Sequence, residues 1–206
     1  MSFKTILTVA ALLCLFSCSS KKGSNKSFGY VIDKNIKAEV EKRITKEEGM
    51  ILGQMDVRLL ENDMEVQSTF GKDKKIPFFT MTSVNKDLIS ISGIAGMFSG
   101  FGFELYIQGD SCGVFLYITT DDPEIYKAEK TDTAYKGGLL VPTRNSKVIL
   151  SRMPNPKELS ASKPLEGYVE FESKEFYQKS DDGDEDKKIK MFIKAYFKTE
   201  EITSHR

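Results

Sequence analysis

Apolar residues recur at every second position through most of the chain after Gly49, and this period of two is its strongest structural constraint. Phe101, Phe103, Leu105 and Ile107 alternate with Gly102, Glu104, Tyr106 and Gln108, giving one apolar and one largely wet face. Ile189, Met191, Ile193 and Ala195 alternate in the same way with Lys190, Phe192, Lys194 and Tyr196. Further strands are expected at Ile51 to Leu60, Met64 to Phe70, Phe78 to Val84, Leu88 to Ile94, Val114 to Thr119 and Gly167 to Tyr177. Turn-forming residues separate them at Glu61-Asn62-Asp63, Asn85-Lys86-Asp87 and Gly109-Asp110. Shorter strands are expected at Thr133 to Tyr135, Leu139 to Val141 and Lys147 to Arg152, and Met153 to Pro164, with its three prolines, reads as a loop. Strands this short and numerous predict a mainly β domain, either an antiparallel β-sandwich or a barrel.

One segment breaks the period. Ile36, Val40 and Ile44 recur at intervals of four and predict a single N-terminal helix over residues 34–48. Asp33 or Asn35 is placed to cap its start, and Gly49 to take the left-handed position at its end. Glu39 and Arg43 form an i,i+4 pair, and the remaining positions are charged, so one narrow face packs on the domain.

The N-terminus carries an address. Lys4 is followed by the apolar run Ile6 to Phe16, shorter than the about 20 residues a membrane span needs. Such a run reads as the core of a signal peptide over residues 1–17. Leu15-Phe16-Ser17-Cys18 resembles the lipobox of bacterial lipoproteins, with leucine at −3, a small residue at −1 and cysteine at +1; Phe16 at −2 departs from the usual small residue. The resemblance implies cleavage before Cys18, a diacylglyceryl thioether on its sulfur, and anchoring in the bilayer through the acylated cysteine. Residues 18–27 then form the lipidated cysteine and a polar, basic tether with nothing apolar to pack, and residues 28–206 a single β-rich domain. No acidic export signal follows the cysteine, which favours an outer-membrane anchor facing the periplasm.

Residues 78–199 show a second resemblance. Leu88 to Gly93, Phe103 to Ile107, Gly167-Tyr168-Val169-Glu170-Phe171 and Ile189 to Phe197 follow the order seen in small β-rich lipoproteins of Gram-negative bacteria, some of them lipocalin-like. Val169 stands where an aromatic residue opens their Gly-x-Phe-x-Phe motif. The resemblance implies a lipocalin-like barrel as the form the β domain takes, and it transfers no catalytic residue.

Chemistry is sparse along the chain. With 30 basic and 30 acidic residues there is no basic excess for nucleic-acid binding. The only histidine, His205, is next to last, which removes internal histidine triads and multi-histidine metal sites. Cys14 leaves with the leader and Cys18 is taken by lipid, so Cys112 stands alone in an apolar run and reads as a buried structural thiol. The acidic run Asp181 to Asp186 places its glycine third and lysines where an EF-hand loop closes, so it reads as a solvated hairpin tip, dispensable for folding, and not as a metal site. The glycine-rich stretch from Gly93 to Gly102 does not lead from a strand into a helix, as a nucleotide loop requires. It reads as a hairpin connection in which Met97, Phe98 and Phe101 form an apolar lip, at a barrel mouth or on a partner surface. The expected function is a membrane-anchored envelope lipoprotein whose non-catalytic, cofactor-free β domain binds a small apolar ligand or an outer-membrane protein partner. The alternative is a periplasmic hydrolase using carboxylates or a Ser/Lys pair.

Overall fold

The structure is a computed structural model that describes residues 29–47, 50–96, 99–121, 125–132, 138–160, 162–180, 185–199 and 201–205. Residues 1–28, which include the segments read above as a leader and a tether, as well as Met97, Phe98 and Thr133 to Tyr135, lie outside the described residues.

The chain runs β1 (Val31–Ile32), α1 (Ile36–Glu41), β2 (Thr45–Glu47), β3 (Met50–Glu61), β4 (Met64–Ser68), β5 (Ile76–Asn85), β6 (Leu88–Ala95), β7 (Gly100–Gln108), β8 (Ser111–Thr119), β9 (Tyr126–Lys127), β10 (Gly138–Leu150), β11 (Glu166–Ser173), β12 (Phe176–Gln178), β13 (Lys187–Lys198) and β14 (Glu201–His205). Eight of these strands pair antiparallel in the order β3-β5-β6-β7-β8-β10-β11-β13. The last returns to the first, with Ile189 opposite Glu61 and Tyr196 opposite Gln54. The fold is therefore a closed, lipocalin-like barrel and not a sandwich, and closure leaves the eight strands without a free sheet edge along this seam.

Short strands fill the places where barrel neighbours part. Only Gly53 to Met55 of β3 pair with β5; β4 covers β3 from Arg58 to Glu61, and β14 runs parallel to β5 from Met81 to Asn85. In the same way β1 lies parallel to Ile149 and Leu150 of β10. Turn chemistry sets these registers. Asn62 and Asp63 both take positive φ, at 48° and 67°, as a two-residue hairpin of type I′ requires.

The alternation read in the sequence becomes the barrel wall. On β13, Ile189, Met191, Ile193, Ala195 and Phe197 are all buried, and on β8 so are Cys112, Val114, Leu116 and Ile118. Three cross-strand pairs recur in the interior: Gly53 faces Phe78, Gly93 faces Phe103 and Gly167 faces Phe197. Each phenylalanine ring covers its glycine. A Cβ on Gly93 would come within 2.3 Å of Phe103 Cε1, and one on Gly53 within 2.4 Å of Phe78 Cζ. The rings also meet each other, with Phe103 5.7 Å from both Phe78 and Phe197, so one aromatic layer seals the middle of the barrel. Cys112 is the free, buried thiol expected, and burial pushes it up to about 12.

Several boundaries differ from the sequence expectation. The helix spans Ile36–Glu41 instead of residues 34–48. Its apolar stripe is real, since Ile36 and Val40 are buried against Tyr168 and Ile44 packs beside them. But Thr45 to Glu47 are extended and pair with Met50 to Leu52. A helix this short gains little from its own hydrogen bonds, so pairing with β3 decides where it stops. Lys42, not Gly49, is its C-cap; Asp33 Oδ1 accepts the Asn35 N–H at 2.9 Å ahead of its first turn. The two strands expected at Leu139 to Val141 and Lys147 to Arg152 are one strand, β10, whose register shifts between Arg144 and Lys147. Between them the register shift forms a bulge where the strand leaves β8, at Pro142, and passes to β11. Strand β14 was not expected: five residues carry too little periodicity.

Of the acidic run, Asp181 to Asp184 lie outside the described residues, and Asp186 is not wholly solvated. Asp186 Oδ2 lies 2.5 Å from Lys127 Nζ, and these side chains are 19 % and 6 % exposed. A buried ammonium needs its counter-charge, whereas exposed pairs such as Glu185 with Lys130, 3.6 Å apart, contribute little. Asp186→Asn should therefore lower the unfolding free energy by about 2–3 kcal/mol, somewhat less than for a fully buried pair. Glu185→Gln should leave it unchanged, and urea denaturation of the two variants compares them.

Candidate ligand-binding cup at the barrel mouth

On one side of the aromatic layer the interior holds buried apolar side chains, Ile89, Ile107 and Leu150 among them. On the other, toward the ends of β3 and β8 and the starts of β7 and β13, the interior opens into a cup of about 370 Å³. Its floor is made by Val57, Phe176, Ile189 and Met191, all buried. Leu59, Phe101, Ile118 and Tyr126 form the wall. Polar groups stand at the rim: Glu61, Gln67, Thr119 and Gln178.

Each contributor is placed by strand parity. Val57, Leu59 and Glu61 point the same way along β3, and Ile189 and Met191 do so along β13, so the cup continues the barrel's inner surface. Tyr126 is brought over the opening by the pairing of β9 with β12, Gln178 facing Tyr126. Its ring meets Phe176 edge-on at 6.0 Å. Burial, reinforced by the charge of Glu61, pushes the Tyr126 phenol above its ordinary range, so it remains a neutral hydroxyl. Glu61 is itself balanced by Lys187, with Nζ 3.5 Å from Oε2.

The structure places Phe101 in this wall, half-buried and packed on the core. The backbone turning toward it is tight. A Cβ on Gly100 would come within 1.9 Å of the Ala95 carbonyl oxygen, and one on Gly102 within 1.7 Å of that of Gly93. Ser99 and Gly100, which precede Phe101, line the cup; Met97 and Phe98 lie outside the described residues. Sequence reading missed the β12 and β9 contributions. Phe176 falls in the strand expected over Gly167 to Tyr177, which the structure divides into β11 and β12; Tyr126 sits in a two-residue strand too short to show a period.

The cup can enclose an apolar group and offer the hydroxyls of Thr119 and Tyr126, two carboxamides and one carboxylate at its edge. Elsewhere, Glu104 is half-buried on the outer face of β7 and accepts the Ser92 hydroxyl at 2.6 Å; burial raises its pKa despite this bond. Among the described residues no three of His, Cys, Asp and Glu are grouped to hold a metal ion. No helix among them is long and apolar enough to cross a membrane. In comparisons with known proteins, no family model, no curated protein and no solved structure matches the chain.

Proposed function

We propose that this protein is a lipid-anchored envelope lipoprotein whose barrel binds a small apolar ligand, non-catalytically, in the cup at its mouth. The observation that carries the reading is the cup: a concave, largely apolar hollow with a few polar groups at one edge, at the low end of the size range of small-molecule sites. An apolar tail would lie between Leu59, Phe101 and Met191, and a polar head would reach Gln67, Gln178 or the Tyr126 hydroxyl. The anchor rests on the lipobox at Leu15 to Cys18, and the same reading places the protein at the outer membrane, facing the periplasm.

A dansyl-labelled medium-chain fatty acid tests the cup. Its emission should rise and shift to the blue on binding. Leu59→Glu puts a charge in the wall, where an apolar chain would have to desolvate it, so affinity should fall at least about tenfold, or 1.4 kcal/mol. Leu59 is only half-buried, so the variant should stay folded. Equal binding by both proteins would place the probe outside the cup and overturn the reading.

A further inference from the structure

The end of the barrel opposite the cup carries a second hollow, of about 570 Å³. Its lining is basic: Lys34, Lys37, Arg152 and Lys163, against the carboxylates of Glu158 and Glu166. Glu166 is buried and already engaged, accepting the Ser151 hydroxyl at 2.8 Å with Lys37 Nζ 3.9 Å away. Arg152 is fixed by donating from Nη2 to the Lys163 carbonyl oxygen at 2.7 Å. The bowl thus presents a net positive charge on a rigid base.

Exposed apolar side chains stand beside it. Val31 and Met153 are each 58 % exposed and Ile32 is 39 % exposed. They belong to one surface, because β1 pairs with Ile149 and Leu150, which lead directly into Ser151-Arg152-Met153. The Tyr30 hydroxyl ties it together, 2.9 Å from the Gly109 carbonyl oxygen and 3.0 Å from Met153 Sδ. This is also where the chain comes in from its N-terminus. Cys18 is eleven residues before Gly29, a reach of at most about 40 Å.

We infer that this end of the barrel seats on the surface of an anionic bilayer, with Val31, Ile32 and Met153 entering the interface and the basic bowl lying on lipid phosphates. The inference rests on the lipoprotein reading above, since the anchor brings the surface within reach. Apolar side chains ringed by lysine and arginine are what an anionic membrane interface binds. The tether bounds the distance, and the charge selects the orientation. The cup then faces away from the membrane that holds the protein.

The absence of tryptophan from the sequence makes this directly measurable. Single-tryptophan variants Met153→Trp and Met64→Trp replace exposed methionines, the second on the β3–β4 hairpin near the cup. The full chain, processed in a Gram-negative host and purified with its anchor, is incorporated into vesicles of brominated phosphatidylcholine and phosphatidylglycerol. Flotation with the vesicles reads the anchor; quenching by bromine reads the seat. The expected result is strong quenching and a blue shift at Met153→Trp, with neither at Met64→Trp. Adding Lys34→Gln, Lys37→Gln and Lys163→Gln, or omitting phosphatidylglycerol, should abolish the quenching while flotation persists. Floating protein with both tryptophans unquenched, or both quenched alike, overturns the seat and leaves the anchor standing. Quenching that survives loss of the lysines overturns it too. Protein that fails to float removes the anchor, and the inference falls with it.

Discussion

Phe103→Ala should lower the unfolding free energy by about 3–5 kcal/mol, the range for truncating a fully buried phenylalanine. Phe103 has no exposed surface, and its ring is shared: it covers Gly93 and touches both Phe78 and Phe197. The lost ring leaves a void that glycine cannot fill from below. Chemical denaturation, with the slope checked against wild type, measures the loss. Gly93→Ala supplies the converse. Its new methyl would collide with the Phe103 ring, so it should cost about 1–3 kcal/mol alone. In a Phe103→Leu background, where that ring is gone and the Phe78 ring edge, 2.9 Å from the new methyl, is left to give way, the same change should cost less. A double-mutant cycle that came out additive would mean that the ring and the glycine are not a packing unit.

This pairing marks the boundary of what the sequence discloses. Alternation told which residues of β7, β8 and β13 face inward, because parity is a local property. Turn residues such as Asn62-Asp63 told where the chain reverses. The β6–β7 hairpin is local, but its register was not legible, so Gly93 opposite Phe103 could not be seen; the choice of a closed barrel over two packed sheets rests on the long-range pairing of β3 with β13. The same holds for the cup. Phe101 was legible as apolar and near glycines, but Phe176 and Tyr126 reach the mouth only through the pairing of β12 with β13 and β9. The helix was over-extended because its stripe, Ile36, Val40 and Ile44, continues past the point where β3 captures the backbone. Asp186 looked like its acidic neighbours in the run, and only Lys127, 59 residues away, distinguishes it.

Cys18→Ser should remove the protein from the membrane fraction almost completely, or leave an uncleaved precursor. On the lipoprotein reading proposed above, the first two acyl chains would be carried by the Cys18 sulfur, and a serine hydroxyl would not replace that thioether. The size of the effect follows from chain number: one acyl chain holds a protein reversibly, with a binding constant of about 10⁴ per molar, and two hold it stably. Nothing among the described residues substitutes for the anchor as a membrane-spanning helix. Labelling with radioactive palmitate and fractionation together check the result. Label on the serine variant, or a cleaved variant still held by the membrane, would count against acylation at this residue.

The seam between β3 and β13 has a consequence for how the molecule comes into being. The residues it joins, 54–61 and 189–196, stand at opposite ends of the domain in sequence. No piece of the chain that stops short of β13 can close the barrel, so a nascent polypeptide holds β3 as an open edge until β13 has been synthesised. Its longest-range contact is its last to become available, and contacts of that span are slow to form. A premature stop anywhere before β13 would yield an open sheet with two sticky borders, prone to pair with its neighbours. The architecture is thus all-or-none in biosynthesis: β13 is the latch, and every barrel strand before it waits unlatched.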